Sequence, residues 1–541
     1  MTIDPRIDWL DHAVTRRQVL HGALSGGVIL AAGGVLGACG GDDDGGGGGG
    51  GGTPAESGGK LKTGGTLRVG ATGGGAKDTI DAHRPTNDTD IMRVWNLYES
   101  LAVRTPDFSK LEMLLAESIE AGKTTKTWDI RLKQGITFHN GKPVTADDVI
   151  FSIRRIKDPK DPKVGAASIG YIDDKKLKKL DDRTVRVTLE FANAAFPDDI
   201  GQYFNSIVPT DYDPKNPVGT GPFKYVSFTP GQQSEFERFP DYWEKGKPYV
   251  DKLIIIGGFA DDQARVNALL GGQVDAIDNL PAAQLQSVKS NPNLRVISSK
   301  TGAWQPFTMR VDQAPFDDPR VRQAFRLIVD REQMVQQVLS GQGRIANDLY
   351  APYDPAYASD LPQRTQDLEQ AKSLLKQAGR EGLNVELVTA PVFQGIVEAA
   401  QVFTQQAKGA GVNVKLRKVD SGTFYGDNYL KWTFAQDFWA TRVYLTQVAQ
   451  GDLPESPFNE THWKDPKFID LIQQARAEVD EGKRNDILHE AQQIQYDKGG
   501  YIIQYFSNII DAHSAKLGGF VEAKCGFPFG NYWFKNIGFL A

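Results

Sequence analysis

The chain has 541 residues, of which 40% are apolar and 24% are charged, and this length is sufficient for two to four domains with a large core. A net charge of −6 argues against the basic footprint that is typical of nucleic-acid-binding proteins. The two cysteines, Cys39 and Cys525, cannot form a disulfide framework if one of them is otherwise used.

Residues 1–39 are predicted to be an export signal. The sequence TRRQVL at 15–20 is similar to the twin-arginine pattern, and a weakly hydrophobic run follows it over 23–36. That run is too short and too rich in glycine for a stable transmembrane helix. It ends in LGAC at 36–39, which resembles a lipobox and predicts Cys39 as the lipidation site, because a thiol accepts the diacylglycerol. The alternative is an uncleaved anchor helix that ends in an incidental cysteine.

Residues 40–63 are predicted to be a glycine-rich linker. Eight consecutive glycines occupy 45–52, after three aspartates at 42–44. Such a segment has almost no side chains to bury, so we expect it not to pack. A root-mean-square reach of about 25 Å for ~20 residues suits a tether between a membrane surface and a globular body.

The first part of the body alternates strand and helix signals. GTLRVG at 65–70 predicts a strand, Thr72–Gly75 a flexible loop, and WNLYESL at 95–101 a helix. A strand at 128–132 precedes ITFHNGKPVTADDV at 136–149, where the Asn-Gly pair predicts a tight turn and Thr145 a helix cap. His139 is interpreted as a structural turn residue rather than a metal ligand, because no second histidine lies within ligand spacing.

The stretch VGTGPFKYVSFTPGQQSEFERFPDYWEKGKPYVD at 218–251 carries the most information in the chain. A glycine-proline turn is followed by strands at 223–228 and 234–238, an aromatic pair and a Lys-Pro turn. The next strand, at 253–256, is apolar on both faces and is expected to lie in a covered sheet.

The rest of the chain repeats an α/β pattern. An aspartate-capped helix from 262 and a strand at 274–277 complete a β-α-β crossover, and PFDDPRVRQA at 315–324 begins another helix. A second β-α-β unit is predicted from strands at 385–388 and 412–416 around a helix at 396–407. The amphipathic stripes of the later helices are interpreted as core.

The order of these motifs resembles the family 5 solute-binding proteins of ABC importers, over nearly all of the chain from residue 64 onward. The resemblance implies an α/β fold, the two-lobed periplasmic-binding-protein clamp of type II, cluster C, with an extra domain in lobe I. It divides the body into lobe I (64–90, 205–304 and 516–541), the extra domain (91–204) and lobe II (305–515). The chain is expected to cross between the lobes near Gln305 and near Lys516.

The resemblance also implies a function. The expected role is that of an importer receptor that captures an oligopeptide or related solute between the lobes and delivers it to ABC permease subunits. The alternative ligands are an opine, a sugar derivative or a metal chelate. The protein is expected to be an extracytoplasmic or periplasmic monomer that touches the membrane only through its lipid anchor, with no cofactor, metal or nucleic acid.

A lipid-anchored extracytoplasmic hydrolase is the rival function. The sequence contains no G-x-S-x-G, H-E-x-x-H or P-loop motif, and no catalytic residue is predicted. Cys525 has no sequence context for a nucleophile and is expected to be a packed or partly exposed free thiol.

Six residues are candidates for ligand binding. They are Thr72, Trp304, Phe424, Trp439, Arg442 and Tyr444. The three large aromatic side chains match aromatic pocket positions of relatives, although such side chains are more often core.

Arg442 departs from the pattern of the relatives that bind peptides. Those relatives carry an aspartate after a segment similar to WAT, which pairs with the free amino group of the ligand. Here Arg442 or Val443 occupies that position, and a guanidinium repels an ammonium but binds a carboxylate or another oxyanion. The alternatives are that Arg442 points away and pairs with a surface carboxylate such as Asp437, or that Asp437 takes over the ammonium role.

Overall fold

The computed structural model describes residues 60–541, except for the side chain of Ser421. The predicted export signal, Cys39 and most of the predicted linker lie outside the described residues and stay predictions. Within the described part, no helix combines the length and the apolar character that crossing a bilayer requires.

The first lobe is built on an eight-stranded mixed sheet. Its central strand, Thr66–Gly70, pairs in parallel with Lys252–Ile256 on one side and with Ala276–Ile277 on the other. Leu67 and Val69, on one face of this strand, are fully buried, whereas Arg68 on the other face is partly exposed. Seven strands lie side by side in the order Leu294–Trp304, Tyr505–Ser514, Ala276–Ile277, Thr66–Gly70, Lys252–Ile256, Gln233–Arg238 and Phe223–Thr229. The eighth strand, Gly343–Ile345, pairs with Tyr505–Ser514.

The glycine-proline turn before strand Phe223–Thr229 packs directly onto the helix Asp88–Leu97. A β-carbon at Gly219 would lie 1.9 Å from the carbonyl oxygen of Leu97, which explains why this position has no side chain. His139 fastens the same turn, since its Nδ1 accepts from the Gly219 NH at 3.2 Å and its Nε2 lies 2.9 Å from the Gly221 carbonyl oxygen. The structural role predicted for His139 agrees with these contacts.

The extra domain is a four-stranded antiparallel sheet with its own core. Its strands, in spatial order, are Ala116–Ala121, Thr127–Leu132, Thr184–Thr188 and Lys178–Asp181. The helix Ala146–Ile156 covers it and begins with the predicted cap: the hydroxyl of Thr145 donates to Asp148 at 2.8 Å. The core of this domain begins at Leu101, whereas the residues of helix Asp88–Leu97 pack into the core of the eight-stranded sheet.

The second lobe contains a five-stranded sheet with helices around it. Its strands, in spatial order, are Asn413–Lys418, Asn384–Thr389, Phe434–Gln436, Phe307–Met309 and Tyr501–Ile502. The first two are parallel and are joined by the helix Ile396–Gly409, as the sequence predicts. The first lobe and the second lobe are therefore separate α/β units, and the predicted α/β, two-lobed fold is confirmed.

The remaining regular elements are short or lie on the outside of the sheets. The two smaller sheets consist of Leu61–Lys62, Gly538–Leu540 and Leu517–Gly518, and of Ala102–Arg104 and Leu111–Met113. The other helices are Ala166–Ile169, Phe196–Ile200, Asp262–Leu270, Leu285–Lys289, Pro319–Ile328, Arg331–Leu339, Leu368–Gln377, Ser421–Phe424, Tyr444–Gly451, Pro466–Ala477 and Glu481–Lys498. The segment Pro528–Tyr532 is a turn with left-handed backbone angles.

Two long antiparallel strands, Leu294–Trp304 and Tyr505–Ser514, lead from the first lobe to the second. The chain leaves the first sheet at Gln305, where we expected a crossing. It returns to that sheet at Tyr505, earlier than the Lys516 boundary expected from the sequence. The crossing is held by buried side chains, since the Tyr505 hydroxyl donates to the Gln305 side chain at 3.0 Å and the Gln504 amide donates to the Gln305 carbonyl at 2.8 Å.

Candidate functional site

A small cavity of about 50 Å³ lies between the two lobes, next to the extra domain. The side that belongs to the first lobe and the extra domain is lined by Trp95, Val103, Arg104, Phe108, Leu111, Asp198, Gly201, Gln202, Tyr203, Cys525, Phe527 and Asn531. The second lobe contributes Thr441, Arg442, Val443 and Thr446. Because both lobes line the cavity, any solute bound there contacts both.

The lobes touch around this cavity, so the structure is a closed form of the clamp. The Thr446 hydroxyl donates to Asp199 of the extra domain at 2.8 Å. Nearby, the Thr125 hydroxyl and the Ala194 NH both donate to the Arg476 carbonyl oxygen, at 2.8 and 2.9 Å. We call these five residues the latch. Burial raises the pKa of Asp199 to about 6, although hydrogen bonds from Tyr171 and Thr446 oppose the shift.

Arg442 is the charged residue that the second lobe brings to the cavity. Its guanidinium lies 5.6 Å from the ring centroid of Trp439, within cation–π range, and donates to the Gln447 side chain at 3.4 Å. The chain segment that carries Arg442 is held in place, because the backbones of Trp439 and Trp304 exchange two hydrogen bonds of 2.9 and 3.0 Å. Arg442 is therefore a half-buried cation on a rigid support.

A bidentate ion pair forms the opposite part of the wall. Arg104 donates from Nε and Nη2 to the two carboxylate oxygens of Asp198, at 2.5 and 2.8 Å. The guanidinium lies 5.5 Å from the ring centroid of Phe108. This pairing holds the first-lobe guanidinium on a protein carboxylate.

Trp304 and Trp439 lie beneath the cavity and are not among its lining residues. Their rings stack at 5.9 Å, and Trp304 also stacks on Tyr350 at 5.2 Å. Tyr444 is fully buried in the same core, where its hydroxyl donates to Gln495 at 2.8 Å. The structure thus places these three candidates as the support of the Arg442 segment.

Phe424 and Thr72 lie elsewhere. Phe424 stacks on Trp432 at 6.1 Å and lines a separate pocket of the second lobe that also contains Asp437 and Glu460. Thr72 follows the central strand of the first lobe and donates to Asp278. Of the six predicted site residues, Arg442 lines the cavity between the lobes, and the ligand-binding role of all six stays a prediction.

Asp437, the alternative partner for a ligand amine, is almost fully buried. One of its carboxylate oxygens accepts from the Tyr425 hydroxyl at 2.7 Å and from the Phe438 NH at 2.8 Å. The Tyr429 hydroxyl lies 3.3 Å from the other oxygen and 3.1 Å from Glu460. This tyrosine therefore connects two buried carboxyl groups close to the Trp439 segment.

Cys525 lines the cavity as a buried thiol that donates to Asn531. Burial raises the pKa of this thiol to about 12, so it is protonated and unreactive at neutral pH. Within residues 60–541, no group of three His, Cys, Asp or Glu side chains is arranged to hold a metal ion.

Several cavity residues were not predicted from the sequence. Trp95 was assigned to a helix, and Arg104, Tyr203 and Phe527 were not singled out. They come from three distant parts of the chain, and one sequence contains no signal that brings them together.

Comparisons with known proteins identify the family. Residues 110–458 match the family model described as bacterial extracellular solute-binding proteins, family 5 Middle. A dipeptide-binding protein of Escherichia coli K12 is 28% identical over 470 residues, which cover 78% of this chain and 85% of that protein. Di/tripeptide-binding protein 2 of Pseudomonas aeruginosa is 27% identical over 461 residues, with 78% and 86% covered.

A solved structure has the same architecture. The periplasmic binding protein AgaA of A. tumefaciens R10, in complex with agropinic acid, superposes with a TM-score of 0.73 at 25% identity and covers 88% of this chain and 99% of its own. The chain belongs to family 5 of the bacterial extracellular solute-binding proteins and is a substrate-binding receptor of an ABC importer.

Proposed function

We propose that this receptor binds a solute with an anionic group, and that Arg442 is the residue that binds this group between the lobes. The observation that carries the proposal is the place of Arg442 in the cavity wall. A guanidinium presents a planar fork of donors that matches a carboxylate or a similar oxyanion. The ligand class is therefore a peptide-like solute bound through a carboxylate, or an opine.

The surroundings of Arg442 support this role. Trp439 lies under the guanidinium and Gln447 accepts from it, so the side chain is positioned before a ligand arrives. Residues of both lobes line the cavity. A ligand that contacts both walls enters when the lobes separate at the latch, and closure then surrounds it by a hinge motion.

The comparisons agree with both ligand classes. The curated relatives are named for dipeptides and for di/tripeptides, and AgaA binds agropinic acid. The competing hypothesis, in which Asp437 binds a free amine, draws support from the buried pair of Asp437 and Glu460 around Tyr429.

The finer aspects of localisation are also proposals. Lipidation at Cys39 anchors the mature protein outside the cytoplasm, the linker carries the body, and the closed receptor docks as a monomer on permease subunits. The support is the order of twin-arginine-like, apolar and lipobox-like segments in residues 15–39. Cys39→Ser should leave the protein unprocessed or soluble, and unchanged membrane fractionation contradicts the anchor.

Calorimetric titration of a dipeptide library tests the ligand proposal. The library contains each peptide with a free C-terminal carboxylate, as the C-terminal amide and as the N-acetyl derivative. Arg442→Ala should weaken binding of the free carboxylates by about 10- to 100-fold, because a charge-assisted hydrogen bond contributes ~1.5–3 kcal/mol. Arg442→Lys should lose part of this affinity, and the exposed second-lobe variant Arg417→Ala should lose none.

The opposite pattern contradicts the proposal. If Arg442→Ala binds as tightly as the parent while Asp437→Asn loses only the peptides with a free amine, then Asp437 is the recognition residue. In that case the protein is a receptor for free-amine peptides.

A further inference from the structure

Three carboxyl groups of the first lobe meet where its strands end. Asp278 directly follows the strand Ala276–Ile277, and antiparallel pairing of this strand with Tyr505–Ser514 places Asp278 opposite Asp511. Asp88 is the first residue of the helix Asp88–Leu97. We call Asp88, Asp278 and Asp511 the carboxyl cluster. Ligands of open α/β sheets bind in crevices at strand ends of this kind.

Hydrogen bonds satisfy only part of the cluster. Asp278 Oδ1 accepts from the NH and the hydroxyl of Thr72 at 2.7 and 2.8 Å. Asp511 accepts from two backbone NH groups, and Asp88 accepts from the Asn279 amide at 3.0 Å. Among residues 60–541, the guanidinium of Arg265 lies 3.9 Å from Asp278 and pairs with Asp262 at 2.9 Å.

Two fully buried polar atoms at the cluster have no hydrogen-bond partner among the described residues. They are Asp278 Oδ2 and the hydroxyl of Tyr532. Burial first, and then the charges of Asp88, Asp278 and Asp511, raise the pKa of Tyr532, so its hydroxyl is close to all three carboxyl groups. Buried polar groups are normally satisfied by protein, water or a bound ion, so these two atoms have unused capacity to bind a polar group.

The backbone that presents Tyr532 is strained. Phe529, Asn531 and Tyr532 have φ values of 53°, 72° and 55°, in the left-handed region that residues with a β-carbon avoid. The turn is fixed by the Phe529 NH, which donates to Asp511 at 2.8 Å. Strained backbone of this kind occurs preferentially at ligand sites, and Asn531 of the same turn lines the cavity between the lobes.

The cluster lies near that cavity on the side of Asp88, although none of its three carboxyl groups is a lining residue. Asp88, Thr72 and Asn279 are half-buried, whereas Asp278 and Asp511 lie behind them at 0% exposure. Tyr203 lines the cavity together with Arg442 and is within electrostatic reach of both Asp88 and Arg442. Tyr203 therefore lies between Arg442 of the second lobe and Asp88 of the first-lobe cluster.

We propose that the carboxyl cluster, together with the Tyr532 hydroxyl, is a binding site for a cationic group, namely the protonated amine of the transported solute. The inference rests on the proposed function and extends it: the ligand carries an anion for Arg442 and a cation for the first lobe. A small inorganic cation has the same charge and is the other source to be distinguished.

The protonation of the cluster is consistent with a cation site. Removal from water and the neighbouring carboxyl groups raise the pKa of Asp88 to about 7 and that of Asp511 to about 8, and burial raises the pKa of Asp278. The cluster is therefore at least partly protonated at neutral pH. Binding of an ammonium group favours the ionised carboxylates and releases a proton.

Thermal unfolding at fixed ionic strength and pH 7.5 tests the site without a known ligand. The probes are methylammonium chloride, sodium chloride and the bulkier tetramethylammonium chloride. The variants are Asp88→Asn, Tyr532→Phe, and Asp241→Asn as an exposed first-lobe control. Methylammonium should raise the Tm of the parent and of the control saturably, and Asp88→Asn should weaken the apparent affinity at least tenfold.

Each outcome decides the matter. A saturable, Asp88-dependent response to sodium alone assigns the site to an inorganic cation. An equal response of parent and Asp88→Asn, or no saturable response of the parent to any probe, overturns the proposal. If Asp88→Asn fails to fold, Tyr532→Phe serves as the second test, and this variant should also weaken methylammonium binding. Arg442→Ala should keep the methylammonium effect, so a failure of the Arg442 proposal is distinguishable from a failure of this one.

Discussion

Two fully buried aspartates, one in each lobe, have opposite electrostatic states. In the second lobe, Asp348 pairs with Arg331 at 2.7 Å and with Arg364, and Arg326 is close by. Burial opposes ionisation of Asp348, but these arginines lower its pKa. In the first lobe, Asp511 has no ion pair with a residue of the described part, and burial raises its pKa to about 8.

The difference lies in the partners and not in the burial. A buried carboxylate with guanidinium partners stays charged and holds elements together, here the segments around 331, 348 and 364. A buried carboxyl that accepts only backbone hydrogen bonds beside other carboxyls holds a proton instead. The comparison therefore separates a structural ion network in the second lobe from a cluster of protonated carboxyl groups in the first lobe, the one that we propose as a cation site.

Removing the charge of Asp348 should have the largest effect. Asp348→Asn leaves buried guanidinium groups without their carboxylate, and breaking such a network costs ~3–5 kcal/mol. Urea unfolding at pH 7 measures this change in the free energy of unfolding. A loss below ~1 kcal/mol means that the network does not hold the lobe together.

Replacing Asp511 should have the opposite effect: as the pH rises, the variant should become more stable than the parent. The folded-state pKa of Asp511 is raised to about 8, so the protonated carboxyl contributes stability that is fully present below the unfolded-state pKa and is lost as the pH rises through 8. Asp88, Asp278, Tyr532 and Arg265 surround the same site and are unchanged in the Asp511→Asn variant.

The free energy of unfolding of Asp511→Asn, relative to the parent, should therefore rise by about 2 kcal/mol between pH 6 and pH 8, at ~1.4 kcal/mol per unit. Urea unfolding of both proteins at each pH gives this difference. A difference that does not change with pH contradicts a protonated Asp511.

The latch should have a moderate effect, on closure rather than on folding. Thr446→Val removes the hydrogen bond to Asp199 across the lobes and leaves a buried carboxyl with one donor fewer, at a cost of ~1–2 kcal/mol. This cost corresponds to a five- to thirty-fold loss of apparent affinity for any ligand that requires closure. Small-angle scattering should show a more open protein, and the same radius of gyration for variant and parent contradicts the role of the latch.

Removing an exposed ion pair should give the smallest change in the free energy of unfolding. Arg417 and Glu386 lie 3.3 Å apart with side chains 48% and 40% exposed. Arg417→Ala should change the free energy of unfolding by less than ~0.5 kcal/mol, because water screens exposed pairs. A larger loss in the free energy of unfolding means that exposed ion pairs also stabilise this protein, which contradicts the comparison.

The sequence predicts the fold better than the site. Motifs such as the glycine-proline turn at 219–222 are local and point to the family, because Gly219 and Gly221 are required by close packing on one helix. The crossing at Gln305 follows from the same resemblance. The return of the chain at Tyr505 does not follow from the resemblance, because the strand Tyr505–Ser514 begins at the second lobe and continues into the sheet of the first lobe.

The site is assembled from distant residues, and this limits prediction. Trp304 and Trp439 match pocket positions, but a backbone bridge between them turns both rings into the core. Arg442, which lines the cavity, was singled out because it departs from a motif, and its ligand-binding role stays a prediction. Asp88, Asp278 and Asp511 carry no local pattern, and their meeting depends on strand register that a single sequence does not contain.

A crystal structure of the protein with a ligand retained through purification, or with a ligand found in the dipeptide titrations, tests the central claim most directly. The account predicts one solute between the lobes, with an anionic group within ~3 Å of the Arg442 guanidinium and an amine at Asp88 on the side of the carboxyl cluster. A ligand whose amine contacts Asp437 while Arg442 touches neither the ligand nor a bridging water contradicts it.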